Sequence, residues 1–284
     1  MRYTLLFCFT VFAAHTVLGQ TRNIFTENNK KGSIYFYWGW NQDWYSNSDM
    51  HFSGDDYDFT LKDVIANDRQ SDFSFETYLN PAIITIPQYN FRIGYYFKED
   101  WDISFGIDHM KYVLQQYQTT KISGDINTNQ SIYDGMYEND EIILEEDFLK
   151  FEHTDGLNYI NFELRHTDII FDRDQIRMSL IEGLGTGILL PKTNTTLWGT
   201  ERYDDFHLSG YGIAAVVGVN VTFFNSFFIQ SELKGGFIDL PDVRTTVSTA
   251  DKASHNFFFS QLNIVFGGII RTKKRPEINE GGVH

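Results

Sequence analysis

Apolar side chains fall on every second position through three long runs near the end of the chain: Phe206–Phe224, Ser226–Ile238 and His255–Ile270. A period of two is the period of a β-strand, whose successive side chains point to opposite faces. The short turn Phe224-Asn225-Ser226 separates the first two runs, and a longer polar loop, Asp239 to Ser254, separates the last two. The same alternation predicts five earlier strands: Ser33–Asn41, Gln88–Phe97, Trp101–Leu114, Leu157–His166 and Gln175–Leu189. The connections between the eight alternate long, short, long, medium, long, short, long.

In each strand one face is bulky and apolar and the other is small or polar. The first strand sets Ile34, Phe36, Trp38 and Trp40 against Ser33, Tyr35, Tyr37, Gly39 and Asn41. In a soluble sandwich the bulky face turns inward. Here the opposite face carries Arg92, Asp108, Glu163, Arg165, Arg177, Glu232 and Lys234, so the bulky face must meet lipid. The expected fold is all-β: an eight-stranded, antiparallel, up-and-down transmembrane β-barrel with short periplasmic turns and long extracellular loops. Eight strands leave an interior that side chains just fill. An unpaired charge there is costly, so the seven inward groups are expected to form a packed ion-pair network; a selective channel lining is the alternative. Trp38, Trp40, Tyr89, Trp101, Tyr211, Phe223 and Phe227 are the expected interfacial girdle.

The N-terminus adds a compartment. Arg2, the apolar run Leu5–Ala14 and Val17-Leu18-Gly19 are the pattern of a secretory signal peptide over residues 1–19, with the mature chain starting at Gln20. The only cysteine, Cys8, lies inside it, so no disulfide is expected. Residues 20–31 are expected to be a short exposed periplasmic arm, 32–270 the barrel, and 271–284 a disordered periplasmic tail. The net charge of −15 argues against a nucleic-acid partner. The acids crowd into two loops, about 42–87 and 115–155. A hairpin pairing Tyr57–Val64 with Phe73–Leu79 is expected in the first, and strand extensions at Lys121–Ile126 and Ile142–Phe151 in the second.

Few residues suggest chemistry. His207 and Ser209 fall on the lipid phase at the outer rim, with the His-x-Ser spacing of a nucleophile and base, but Glu232 lies on the opposite face. Glu182 also falls on the lipid phase, and a bulge near Gly183 is expected to turn it inward. Asp49, Asp55, Asp56 and Asp58 lack the order of a calcium loop. The glycines of Gly183-Leu184-Gly185-Thr186-Gly187 lie within a strand and are read as lumen packing rather than a phosphate cradle. No cofactor, metal or catalytic group is expected.

Alternation and loop rhythm over about 32–270 resemble the eight-stranded OmpA/OmpX/OmpW group of outer-membrane proteins. The loop stretch Gly54-Asp55-Asp56-Tyr57-Asp58-Phe59-Thr60-Leu61 is similar to one in barrels of unassigned role from Bacteroidota-type bacteria. The resemblance implies a location, the bacterial outer membrane, with lipid and lipopolysaccharide as surroundings. Long loops usually carry function. The expected role is therefore non-enzymatic: structural, or an accessory subunit binding partners of a larger outer-membrane assembly through acidic external loops. Two rivals stand beside it: an OmpW-like conduit for small hydrophobic molecules, and a lipid A-modifying hydrolase similar to the deacylases that share the His-x-Ser spacing.

Overall fold

The computed structural model describes residues 30–271 except 73, 81, 83–86, 130 and 200–202. The expected signal peptide, most of the arm and nearly all of the tail lie outside the described residues. Among the described residues, fourteen strands and one short helix, α1 (Phe75–Leu79), follow one another along the chain. Eight of the strands close a barrel: β1 (Ile34–Tyr45), β5 (Tyr89–Tyr96), β6 (Trp101–Leu114), β9 (Leu149–Arg173), β10 (Ile176–Leu197), β12 (Gly210–Phe223), β13 (Phe227–Arg244) and β14 (Lys252–Ile270). Each pairs antiparallel with the next, and β14 returns to β1 in a register running from Ile34 opposite Ile270 to Tyr45 opposite Phe259. Gly39 sits on that seam. A Cβ there would lie 2.1 Å from the carbonyl oxygen of Ile264, so the two strands can approach only because the side chain is missing.

At the end of the barrel with short turns, the pleat sorts residues by polarity. Phe36, Ile93, Ile103, Phe162, Leu184, Ile213, Leu233 and Ile264 point outward and are exposed. Arg92, Asp108, Glu163, Arg165, Glu232 and Lys234 point inward and are buried. Lipid has no hydrogen bonds to offer, so only a closed sheet with an apolar outer face can cross it. Phe224 and Asn225, in the β12–β13 turn, both take left-handed backbone (φ 52 and 56°), the conformation tight hairpins use to match strand twist.

Beyond the membrane the strands continue, and the wall is rebuilt. The outer end of β14 leaves β1 and pairs with β2 (Ser48–Gly54), which is followed by β3 (Tyr57–Val64), β7 (Thr119–Ile126) and β8 (Gly135–Ile143). The outer end of β6 takes β4 (Ala66–Asn67), and β10 takes β11 (Tyr203–Phe206). Here the polarity is reversed. Met50, Phe52, Phe59, Leu61, Phe148 and Phe257 face inward at 0–1% exposure. The alternate positions on β3 are Asp58, Thr60 and Lys62. Phe52 stacks on Phe59 at 5.2 Å between centroids, and Phe151 meets Phe52 edge-on. This is the core of a water-soluble β protein, seated on the mouth of the barrel.

Several expectations change. Tyr57–Val64 does not pair with Phe73–Leu79; it lies between β2 and β7, and residues 75–79 are α1. Lys121–Ile126 pairs with β8, not with the barrel. The run Phe206–Phe224 is two strands, broken at 207–209. The barrel strands β9, β10 and β13 extend well past their expected outer ends because their pairing does not stop at the membrane. Lys30, expected in an exposed arm, is only 6% exposed, and its ammonium lies 5.1 Å from the Tyr96 ring centroid at the inner mouth.

Candidate functional site

Six of the seven inward charges meet. Arg92 and Lys234 both reach Glu163 Oε1, at 2.8 and 2.7 Å. Arg165 spans Glu163 Oε2 and Glu232 Oε1, each at 2.6 Å. Lys234 also reaches Asp108 Oδ2 at 2.6 Å. Three acids thus face three bases, and the network carries no net charge. Tyr37 Oη accepts from Arg92 Nε and Arg165 Nη2, both at 3.0 Å. Arg92 also donates to Ser104 Oγ and Asn161 Oδ1, while Asn161 donates to Asp108. Such dense bonding is what lets ions persist out of water.

The space for these long side chains comes from glycine. A Cβ at Gly106 would lie 2.7 Å from Arg92 Cζ, and one at Gly185 would lie 2.6 Å from Glu163 Cγ. That is the part played by the glycine-rich run on β10. The section is closed. The cavity lined in part by Lys30, Asp102 and Arg165 measures about 10 Å³, room for a single water. Arg177 is the exception: it pairs with Asp172 at 2.6 Å, near the β9–β10 turn and away from the network. The reason is height along β10, since it is the second residue of that strand.

The aromatic positions form two margins. Trp40 is opposite Tyr89, and Tyr211 opposite Asp239, toward the outer side. Trp101 begins β6, and Phe223 is opposite Phe227 beside the turn, toward the inner side. Trp38 lies one pleat in from Trp40, its ring 4.8 Å away and edge-on.

At the outer rim His207 finds a carboxylate the spacing did not suggest: its Nε2 lies 3.2 Å from Asp242 Oδ2. Ser209 does not join them. Its hydroxyl donates to the carbonyl of His207 at 3.2 Å, and the residue is 1% exposed rather than on the lipid face. A nucleophile needs its base in hydrogen-bond reach and an open face for substrate; Ser209 has neither. Glu182 also departs from expectation. The β9–β10 register is regular through Gly183, and the bulge falls between Met178 and Ser179. Glu182 therefore stays outward, 3.5 Å from His166 Nδ1, which lies 3.4 Å from Asp168. These three are the one group of metal-capable side chains among the described residues, set on the outer wall beside Trp101. The four loop aspartates disperse: Asp49 pairs with Lys62 at 2.8 Å and Asp58 with His51 at 2.9 Å.

The external core holds two buried histidines. His153 and His255 stack at 6.0 Å between centroids, against Tyr112 and Phe151. Thr193 Oγ1 lies 2.9 Å from His153 Nδ1; among the described residues, His153 Nε2 and both ring nitrogens of His255 have no hydrogen-bond partner. Burial opposes protonation of both. It holds His255 down to about 3, and His153 well below the usual histidine range, with the neighbouring His255 adding to the effect.

The closed even-stranded ring, its apolar outer face and its short-turn and long-loop ends define a transmembrane β-barrel of the outer-membrane type. No family model matches the chain, and no curated protein matches it in sequence. Among solved structures it is similar to OprG, an outer-membrane protein of Pseudomonas aeruginosa, at 10% identity over 86% of this chain and 98% of that one, with a TM-score of 0.39. It is similar to the outer-membrane protein AlkL at 11% identity over 89% and 97%, with a TM-score of 0.41. It is similar to Ail, the attachment invasion locus protein of Yersinia pestis, at 10% identity over 84% and 99%, with a TM-score of 0.31.

Proposed function

We propose that this chain is a non-enzymatic protein of the bacterial outer membrane whose barrel anchors an external binding module, and that it acts as an accessory subunit of a larger assembly. The observation that carries the reading is the division of the molecule. The lumen is filled by a neutral, fully buried ion network, while the external strands fold around their own apolar core. A conduit for hydrophobic molecules would need an apolar lumen, and the charged one runs against it. An external wall of this size exceeds what barrel closure requires, and its last strand offers an edge for a partner. Among the described residues β8 pairs only with β7, and it carries Glu138, Asp140 and Glu141. An acidic sheet edge suits a basic extended segment. Lipopolysaccharide is the expected surrounding, with divalent ions bridging its phosphates to the acidic surface.

The test is cross-linking in whole cells followed by extraction in a mild detergent. A defined co-purifying protein is expected, lost when Glu138, Asp140 and Glu141 are changed to lysine. A chain that always runs alone overturns the reading. In planar bilayers the purified barrel is expected to give no conductance steps, and lipid A mass spectra are expected to be the same with and without it.

A further inference from the structure

Three buried nitrogens in the external core lack a partner, and they lie on two rings that meet. His153 is wholly buried and His255 is 3% exposed. Among the described residues, His153 Nε2 and both nitrogens of His255 make no hydrogen bond. No carboxylate is among the charges that act on either ring. A buried polar atom left unmet costs stability, and each such atom in a native fold calls for a reason. Phenylalanine would fill the same space without that cost.

The two rings come from opposite walls. β9 and β14 stand four strands apart around the eight-strand ring, counted either way. Their ring planes lie within 20° of parallel, with centroids 6.0 Å apart. Rings in face contact stand only about 3.5–4 Å apart. Most of the separation is therefore sideways, and an edge of each ring is turned toward the other. On His153 the Nδ1 edge is taken, 2.9 Å from Thr193 Oγ1 on the adjacent β10. Nδ1–H donating to that hydroxyl leaves Nε2, at the tip, with a bare lone pair. Bonding of this kind fixes the tautomer of metal-bound histidine. Two imidazoles sharing one ion at about 2 Å from each nitrogen have ring centres about 6 Å apart, the separation found here.

The neighbours select the ion. Met50 is fully buried and directly opposite His255 in the β2–β14 register. Its thioether is a soft donor, of the kind copper(I) prefers. The rings of Tyr112, Phe151 and Phe257 close the surroundings. Neutral nitrogens, a thioether and aromatic rings suit a single positive charge. A divalent ion would need carboxylates or water to offset its larger desolvation. We propose that the external core is a site for one copper(I) ion, held between His153 Nε2 and His255 with Met50 as the third donor, which ties β9 to β14. No change of oxidation state is part of it. This goes beyond the reading of the module as a binding platform and does not depend on it.

The test uses the chain isolated from outer membranes, unfolded in urea and refolded into lauryldimethylamine oxide. Copper(I) is present during refolding, with ascorbate and without oxygen, so that a closed core cannot exclude it. One copper per chain is expected to survive competition with bathocuproine disulfonate. X-ray absorption is expected to show two imidazole nitrogens and one sulfur. His153→Gln and His255→Phe are each expected to lower the affinity by about a hundredfold or more, beyond what loss of an outer-sphere group does. Met50→Leu keeps the volume and is expected to remove the sulfur signal with a smaller loss. Heat-modifiable gel mobility identifies the variants that fold; if neither histidine variant does, the spectra of the wild type and Met50→Leu decide. The proposal is overturned if the wild type retains no copper, or if the folded histidine variants retain it equally. A wild-type spectrum without imidazole and sulfur overturns it too, as does a sulfur signal that persists in Met50→Leu. So does zinc(II) bound as tightly as copper(I).

Discussion

The two halves of β14 have the same pleat and opposite chemistry. From Gln261 inward, the inward positions are Gln261 and Asn263 and the outward ones Leu262, Ile264 and Phe266. From Phe259 outward, the inward positions are Phe259, Phe257, His255 and Ala253, and the outward ones include Asn256, Ser254 and Lys252. Nothing in the backbone marks the change. The solvent changes, from lipid to water, and the side chains follow it. Where lipid lies outside, the apolar face turns out and ions fill the lumen; where water lies outside, the apolar face turns in. The membrane half is held by hydrogen-bonded charges and wall closure, the external half by buried apolar area. The two halves should therefore fail differently.

The largest expected effect is in the membrane half. Glu163→Leu removes the carboxylate shared by Arg92, Arg165 and Lys234. Leaving buried charge unpaired costs about 3–5 kcal/mol. Urea unfolding in lipid vesicles should show that loss, and a smaller one when Arg92→Leu restores neutrality; equal losses would mean that the network's charge balance does not matter. The next effect is in the external half. Phe59→Ala opens a cavity among Phe52, Phe148 and Tyr57 and costs about 3–5 kcal/mol. Hydrogen exchange should rise in β2, β3 and β7 while the membrane strands keep their protection; a uniform rise would show that the halves unfold as one.

A third effect is a pH dependence confined to the external half, with no loss at neutral pH. His153 and His255 are held neutral in the folded state, with His255 down at about 3. The unfolded chain takes up protons below its ordinary histidine value, about 6.5, and the folded chain does not. Stability is therefore whole above that pH and falls as pH drops below about 6.5, by up to ~1.4 kcal/mol per unit for each ring. Exchange rates in β9 and β14 measured from pH 7 to 4 should show the slope, and His153→Gln with His255→Phe should flatten it.

Much of the membrane half was legible in the alternation. The bulky faces of residues 88–97 and 101–107 point outward as the period required, and Arg92, Asp108 and Glu163 point inward. Periodicity reads these positions because each strand crosses one solvent boundary with one polarity. The external half was harder for the same reason. Along β13 and β14 the sense of the pattern inverts, so a reader tracking the apolar face sees the strand end where its surroundings change. Pairing was also out of reach: Tyr57–Val64 lies against Thr119–Ile126, across most of two loops. Asp242 meets His207 only because the β13 wall stands beside the break before β12.

By itself, then, the sequence determined the membrane strands and the side most of their residues take, because a two-residue period and a solvent boundary act locally. Tertiary structure decided which loop strands pair, that they enclose a second core, and that His153 and His255 meet within it. Those depend on contacts between segments remote in the chain, where no local period distinguishes one partner from another.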